Sequence, residues 1–383
     1  MNKPLVRFVI KTVVLFSCTA LCISALPAVG GRLQPAERVM AILASPAVIA
    51  EKANTIITFD NPAESSNTTT DLSEQPQQVM HPIGSKDGDD DWDITATPAD
   101  IAALMKEAED SLDESDYVGK TSEEPYLGGG TVVAYDGVEI QSKIPADFYE
   151  PDIESLLSQG ADLTISDKSK PTVLIYHSHT TEAYALLDSG FYISSDARSN
   201  DNARNVVRVG DELVKALEHK GIAVLHDTEI HDEDYNGSYD SSRASVEQYL
   251  EEYPSIEITI DLHRDDITYE NKTKVKPTAV INGKKAAKMM LIAGCEYGKV
   301  ENYPDWEYNL RFDLAVQQAV NAKYEGVMRP VLFSQRKYNM YETHNSFLLE
   351  IGTDANTLDE ACYAARLFGD ALADLLNEKY VKQ

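Results

Sequence analysis

From residue 171 onward, short continuous apolar runs alternate with stretches whose apolar residues recur at helical spacing. Val173, Leu174 and Ile175 lead into Tyr176, and this β-branched run predicts a strand buried on both faces over 172–176. Val206, Val209, Leu213 and Leu217 share one helical face, and Gly221 follows as a stop signal, which predicts a helix over 205–219. The same patterning predicts strands over 222–225, 256–262, 289–293 and 347–351, and helices over 242–253 and 306–324. Pro254 closes the first of those helices. The last helix opens on Thr357-Leu358-Asp359-Glu360, a capping box in which each end of the tetrad satisfies an orphan amide. Strands alternating with helices argue for an α/β domain over 171–383, built on a largely parallel sheet flanked by helices. In such a sheet the chemistry gathers outside the carboxyl ends of the strands.

Upstream the pattern weakens. Residues 126–170 carry a lead-in strand at Val132 to Tyr135 and a short helix near Ile153, Leu156 and Leu157. Residues 31–125 read as a largely disordered, acidic linker. Between 87 and 116 there are twelve acids and one lysine, Lys106, although Ile101, Leu104 and Met105 are spaced for one helical face. Such a stretch suits a self-repelling spacer, or alternatively a docking tail for a basic partner. Within residues 1–30, Lys3, Arg7 and Lys11 precede an apolar run over 12–29. A membrane-spanning helix needs about 20 apolar residues, which this run reaches if Phe8 to Ile10 join it and Lys11 snorkels. The expectation is a single-pass membrane anchor with the rest of the chain outside the cytoplasm. A cleaved signal peptide is the alternative, because Ser24, Ala25 and Ala28 offer small residues near a cleavage point.

Composition narrows the classes. With 43% hydrophobic and 25% charged residues in 383, neither wholesale disorder nor a multi-span membrane protein fits. The 63 acids against 34 bases give a formal charge of −29, a field that repels nucleic acid. Of four cysteines, Cys18 and Cys22 lie in the N-terminal apolar run, and no CxxC spacing exists for a zinc ribbon or redox pair.

Three strand ends hold candidate chemistry. The first ends in Tyr176-His177-Ser178-His179-Thr180-Thr181-Glu182, the third in Asp261-Leu262-His263-Arg264-Asp265, and the fifth holds Glu350 just ahead of Gly352, which is expected to break it. Imidazoles, a carboxylate and a separate base are what a catalytic zinc site needs. A turn after the first strand would put His179 and Glu182 on one side. Alternation puts Glu257, Thr259, Asp261 and His263 on one face of the third strand, and Ile256, Ile258, Ile260 and Leu262 on the core face. His177 competes with His179 as a ligand, His226 and His231 form a rival pair, and His344 is expected to line the pocket. The non-catalytic alternative for Glu350 is an ion pair with Arg264 or Arg336.

Taken in order, these segments resemble the stage II sporulation protein P family. The resemblance is carried by Val173 through Tyr184, His226-Asp227, Asn236-Gly237-Ser238-Tyr239, Asp261 through Asp265, Arg329-Pro330, Tyr338-Asn339 and Leu349 through Thr357. It covers about residues 136–376. One departure is Tyr341 to Ser346, where the family more often has a Leu-Ser-Pro-Gly type turn. The resemblance implies an amidase-like α/β fold and a zinc (Zn2+) site held by His179, Glu182 and His263, with Glu350 as catalytic acid/base. It further implies cleavage of peptidoglycan at the N-acetylmuramoyl-L-alanine amide, with peptide cross-links as a further target, during engulfment. Stage II sporulation proteins D and M are the implied partners. A metal-dependent phosphoesterase and a non-catalytic wall-binding scaffold remain the competing classes. A serine hydrolase does not, because no Gly-x-Ser-x-Gly elbow exists.

Overall fold

The computed structural model describes residues 92–126 and 131–382. The expected anchor and residues 31–91 of the expected linker lie outside them. Among the described residues no helix is long and apolar enough to cross a membrane.

Ile101, Leu104 and Met105 form one face of helix α1 (Ala99–Ser111), followed by strand β1 (Tyr117–Glu123). Strands β2 (Thr131–Tyr135) and β3 (Val138–Ser142) make a hairpin whose turn residues Asp136 and Gly137 both have positive φ, as a tight hairpin turn requires. Helix α2 (Ile153–Gln159) starts at Asp152, whose side chain accepts from Ser155 N. Strand β4 (Val173–Tyr176) leads through β5 (Phe191–Ile193) to α3 (Val206–His219), capped by Asn205. Then come β6 (Val224–His226), α4 (Ser238–Glu252), β7 (Ile258–Asp265) and β8 (Lys274–Lys276). The hairpin β9 (Thr278–Ile281) and β10 (Lys284–Ala287) precedes β11 (Met289–Gly294) and α5 (Trp306–Lys323). Strands β12 (Val331–Ser334) and β13 (Phe347–Thr353) and helix α6 (Leu358–Leu375) complete the fold. The capping box of Thr357 and Glu360 forms at the start of α6.

The main sheet has the order β2-β3-β12-β11-β13-β7-β4-β6. It is mixed rather than largely parallel. Strands β6, β4, β7 and β13 run one way, and β11, β12 and β3 run the other, with antiparallel pairing at β11–β13 and β2–β3. A crossover helix is what lets a strand return in the same direction. Two connections lack one: β11 is reached through the β9–β10 hairpin, and β13 through the helix-free segment 335–346. Hydrophobic periodicity carries no record of strand direction, so the sequence pattern alone misses this reversal.

Both faces of the sheet are covered. Val173 and Ile175 of β4, and Ile258, Ile260 and Leu262 of β7, pack into the main core with α3, α5 and α6. Leu174 and Tyr176 face the other way, toward Val246 and Tyr249 of α4. Ile256, expected on the core face of β7, lies ahead of that strand and packs on the α4 side.

Residues 92–123, expected within the linker, are folded against the domain. Ile101 is fully buried, and the buried Arg366 donates to Ile94 O at 2.8 Å and Ala96 O at 2.9 Å. Strand β1 lies between β5, antiparallel, and β8, parallel.

Candidate active site

The chain leaves β4 in a turn closed by Glu182 N donating to His179 O at 3.1 Å. That turn brings Glu182 back over β7, where its Oε2 accepts from Arg264 N and stands 3.2 Å from His263 Nδ1. On the other side of the His263 ring, Nε2 is 2.8 Å from Asp261 Oδ1. This is a close charge contact rather than an aligned hydrogen bond. Asp261 is itself held from β4's end, by Ser178 N at 2.9 Å and Ser178 Oγ at 2.7 Å. His179 is buried with its ring centroid 5.4 Å from that of His263, the planes nearly perpendicular, and its Nδ1 is shielded without a partner. Glu350 is the register partner of His263 across the parallel β13–β7 pair, so both side chains leave the same face.

Electrostatics follow from this crowding. Burial alone would raise Glu182, but the contact with His263 and the Arg264 charge hold its carboxyl down to about 2. Burial disfavours charge on His263 too, yet Asp261 and Glu182 outweigh it and raise its pKa well above the ordinary value. Burial, and then the positive field of His263, push His179 down to about 4, so it is a neutral imidazole near neutrality. Glu350 is pushed well above the usual carboxylate range by burial and by Asp265 and Glu182, against the pull of His263 and Arg329.

A ring flanked by two carboxylates, beside an imidazole with a buried unpartnered nitrogen, is a place that favours a cation. The donor set of two imidazoles and one carboxylate is that of a catalytic zinc site with a position left for water. The residues fit the ion, although the three are not drawn tightly together. Among the described residues, the set of three ligand atoms lying within 4.8 Å of one another is instead Glu123, Asp188 and Glu360. That set surrounds the buried Lys276 ammonium, 2.8 Å from both Asp188 and Glu360, so its charge is already answered.

The rival histidines are spent elsewhere. His177 has Nδ1 at 2.9 Å from Leu262 O and Nε2 at 2.8 Å from His226 Nε2, while His226 Nδ1 is 3.2 Å from Asp211. His231 contacts Asp227 through Nε2 and Ser241 through Nδ1. His344 does not line the pocket: it precedes β13, stacks on Tyr308 and pairs with Asp162 at 2.7 Å. Nor do Arg264 and Arg336, the partners of the non-catalytic alternative, pair with Glu350. The Arg264 guanidinium donates to Ala183 O and Ala197 O, Arg336 covers the Tyr338 ring, and Glu350 Oε2 is buried without a partner. Gly352 does not end β13 but sits in its irregular stretch at φ 67°.

The sequence pattern gives no role to Tyr235, and Tyr239 enters only through the Asn236-Gly237-Ser238-Tyr239 segment, yet their rings stand 4.4 and 5.3 Å from that of His179. Their four-residue spacing, on a polar segment running into a helix, was the available signal. Arg329 donates to Asp265 Oδ2 at 2.9 Å, and in the sequence only the Arg329-Pro330 pair marks it.

A family model described as stage II sporulation protein P matches residues 41–373. Stage II sporulation protein P of Bacillus subtilis (strain 168) is 33% identical over 279 residues, which span 66% of this chain and 65% of that relative. The match thus covers a little under two thirds of the relative's length. Among solved structures, the N-acetylmuramyl-L-alanine amidase Ami1 of Mycobacterium smegmatis aligns over 56% of this chain and 100% of its own, at 9% identity and TM-score 0.33. The CwlD amidase of Clostridioides difficile, in complex with the GerS lipoprotein, aligns over 54% of this chain and 98% of its own, at 11% identity and TM-score 0.33. The match to the family model runs through β4, β7 and β13, the strands that assemble the site, and the chain belongs to the stage II sporulation protein P family.

Proposed function

We propose that the chain is a zinc-dependent peptidoglycan hydrolase of sporulation that cleaves the N-acetylmuramoyl-L-alanine amide. The observation that carries this is the meeting of Glu182, His263 and His179 beside Glu350, whose Oε2 is shielded and unpartnered. His179, Glu182 and His263 would hold the ion, and zinc in such a setting polarises a carbonyl and acidifies water. Asp261 backs His263 and keeps its Nδ1 aimed at Glu182. An amide has a poor leaving group, so the departing nitrogen needs a proton. Glu350 accepts the proton of the attacking water and hands it to that nitrogen. Its raised pKa, set first by burial, suits a group that must both take and release a proton near neutrality.

The phosphoesterase alternative would need His177 and Asp261 as ligands, and both are consumed by internal contacts. The positive-then-apolar start of the chain supports a single-pass anchor, with the catalytic part outside the cytoplasm in the septal intermembrane space. Stage II sporulation proteins D and M are the partners we expect there. Digestion of purified sacculi with the full chain, followed by mass analysis, tests the reaction. Free N-terminal L-alanine on released stem peptides is expected. Products cut only within the peptides would replace the amidase assignment with an endopeptidase, and no products at all would favour a scaffold.

A further inference from the structure

We propose that Tyr235 is the positioning residue that sets the ring plane of His179, an inference that rests on the zinc site proposed above. The other histidines around the site are held through their ring nitrogens. His263 stands between Asp261 and Glu182, His177 between Leu262 O and His226, and His231 between Asp227 and Ser241. His179 differs: its Nδ1 is buried without a partner, and among the described residues no carboxylate stands against its ring as Asp261 stands against His263 Nε2 and Asp211 against His226 Nδ1. A metal-binding imidazole normally gives its second nitrogen to a carboxylate, carbonyl or water, which fixes the ring.

Stacking takes that role here. The His179 ring lies on Tyr235 with centroids 4.4 Å apart and planes only 4° from parallel. Tyr239 meets it edge-on at 5.3 Å and 76°, and His263 at 5.4 Å and 89°, so the ring is confined from three directions. Tyr235 is itself fixed. Its short turn Tyr235–Gly237 is capped by Asp234, and the Arg198 guanidinium lies 5.0 Å from its ring centroid. Arg198 is bonded to Asp232 Oδ2 and Thr181 Oγ1, both at 2.7 Å. Thr181 also donates to Asp232 through N and Oγ1. The stack is therefore tied to the turn that carries His179 and Glu182. Because Tyr235 is 40% exposed, its ring contributes little to the core and can be changed without hollowing it.

The test measures zinc affinity on the full chain by competition with a chromophoric chelator, together with the visible spectrum of the cobalt-substituted protein. Tyr235→Ala is expected to weaken zinc binding about 10–100-fold, the range for losing a group that orients a ligand, and to alter the cobalt bands. Tyr235→Phe keeps the ring face and should restore both affinity and spectrum. If Tyr235→Ala does not fold, Tyr235→Leu, which keeps bulk without a flat face, should show the same loss. Wild-type affinity and spectrum in the Ala or Leu variant would overturn the assignment, as would a Phe variant that falls as far as Ala. A wild-type chain that binds no zinc would overturn the zinc site and this inference with it, whereas a loss confined to the variants speaks to Tyr235 alone.

Discussion

Asp261 and Glu182 approach the two nitrogens of His263 from opposite sides, and this sandwich makes one imidazole the centre of the proposed site. Removing it should matter more than removing anything around it. His263→Ala is expected to leave a folded protein that retains little zinc in dialysis against buffered metal, because two remaining ligands rarely keep the ion. Asp261→Asn should act indirectly, lowering zinc affinity about 10–100-fold through a loosened His263 ring. Glu350→Gln keeps the shape and removes the base. It should bind zinc and sacculi as the parent does, while cleavage measured by released product falls ~10²-fold or more. A Gln variant that cleaves at the parental rate would return Glu350 to a structural role. The types and spacing of His179, Glu182, His263 and Glu350 were visible in the sequence because each closes a strand or sits inside an apolar run. The contacts that spend His177 were not, since they join it to His226, 49 residues away, and to Leu262, 85 residues away.

Strand β1 and the segment before it show where element-level patterning fails. An acidic composition reads as linker, yet a few apolar contacts decide the matter: Ile101 is fully buried, and Ile94 and Ala96 supply carbonyls to a buried arginine. Burying an isoleucine is worth about 1.5–3 kcal/mol. Leaving buried Arg366 nitrogens without acceptors costs about 1–3 kcal/mol more. A chain beginning at residue 131 should therefore melt at least ~4 °C below one beginning at residue 92, read by circular dichroism. Equal melting temperatures would return residues 92–126 to a purely positional role. Gly352 is a second instance. Read as a strand breaker, it holds φ 67°, and a Cβ there would meet Asn356 Oδ1 at 2.6 Å and Ala287 Cβ at 2.8 Å. Gly352→Ala should cost about 1–3 kcal/mol in denaturant unfolding. Continuous apolar runs made strands β4, β7, β11 and β13 legible, helical spacing made α3 and α5 so, and the capping box marked α6. Strands β8 and β10 are interrupted by lysines, so no continuous apolar run marks them.

At the scale of the whole molecule, an ion bound to the folded state alone adds stability by mass action, about 2.7 kcal/mol when its free concentration is 100 times Kd. Chelation should accordingly lower the melting temperature of the parent chain, and His263→Ala should melt identically with and without chelator. The alternation of strands and helices announced an α/β domain, but strand direction is a property of connections, so the reversal at β11 and β13 had no signature in the pattern. The reversal means that β4, β7 and β13 supply the site residues while β11, β12 and β3 run opposite as a buttress. The order of attachments before that sheet has a mechanical consequence. A pull arriving from the chain ahead of residue 92 meets the docking of Ile94, Ala96 and Ile101 first. Only when that grip has torn does tension reach β1, which is laced between β5, on the segment presenting Glu182, and β8, just past His263. The arrangement works like the strain relief on a cable, in which the clamp takes the tug and the contacts behind it keep their spacing.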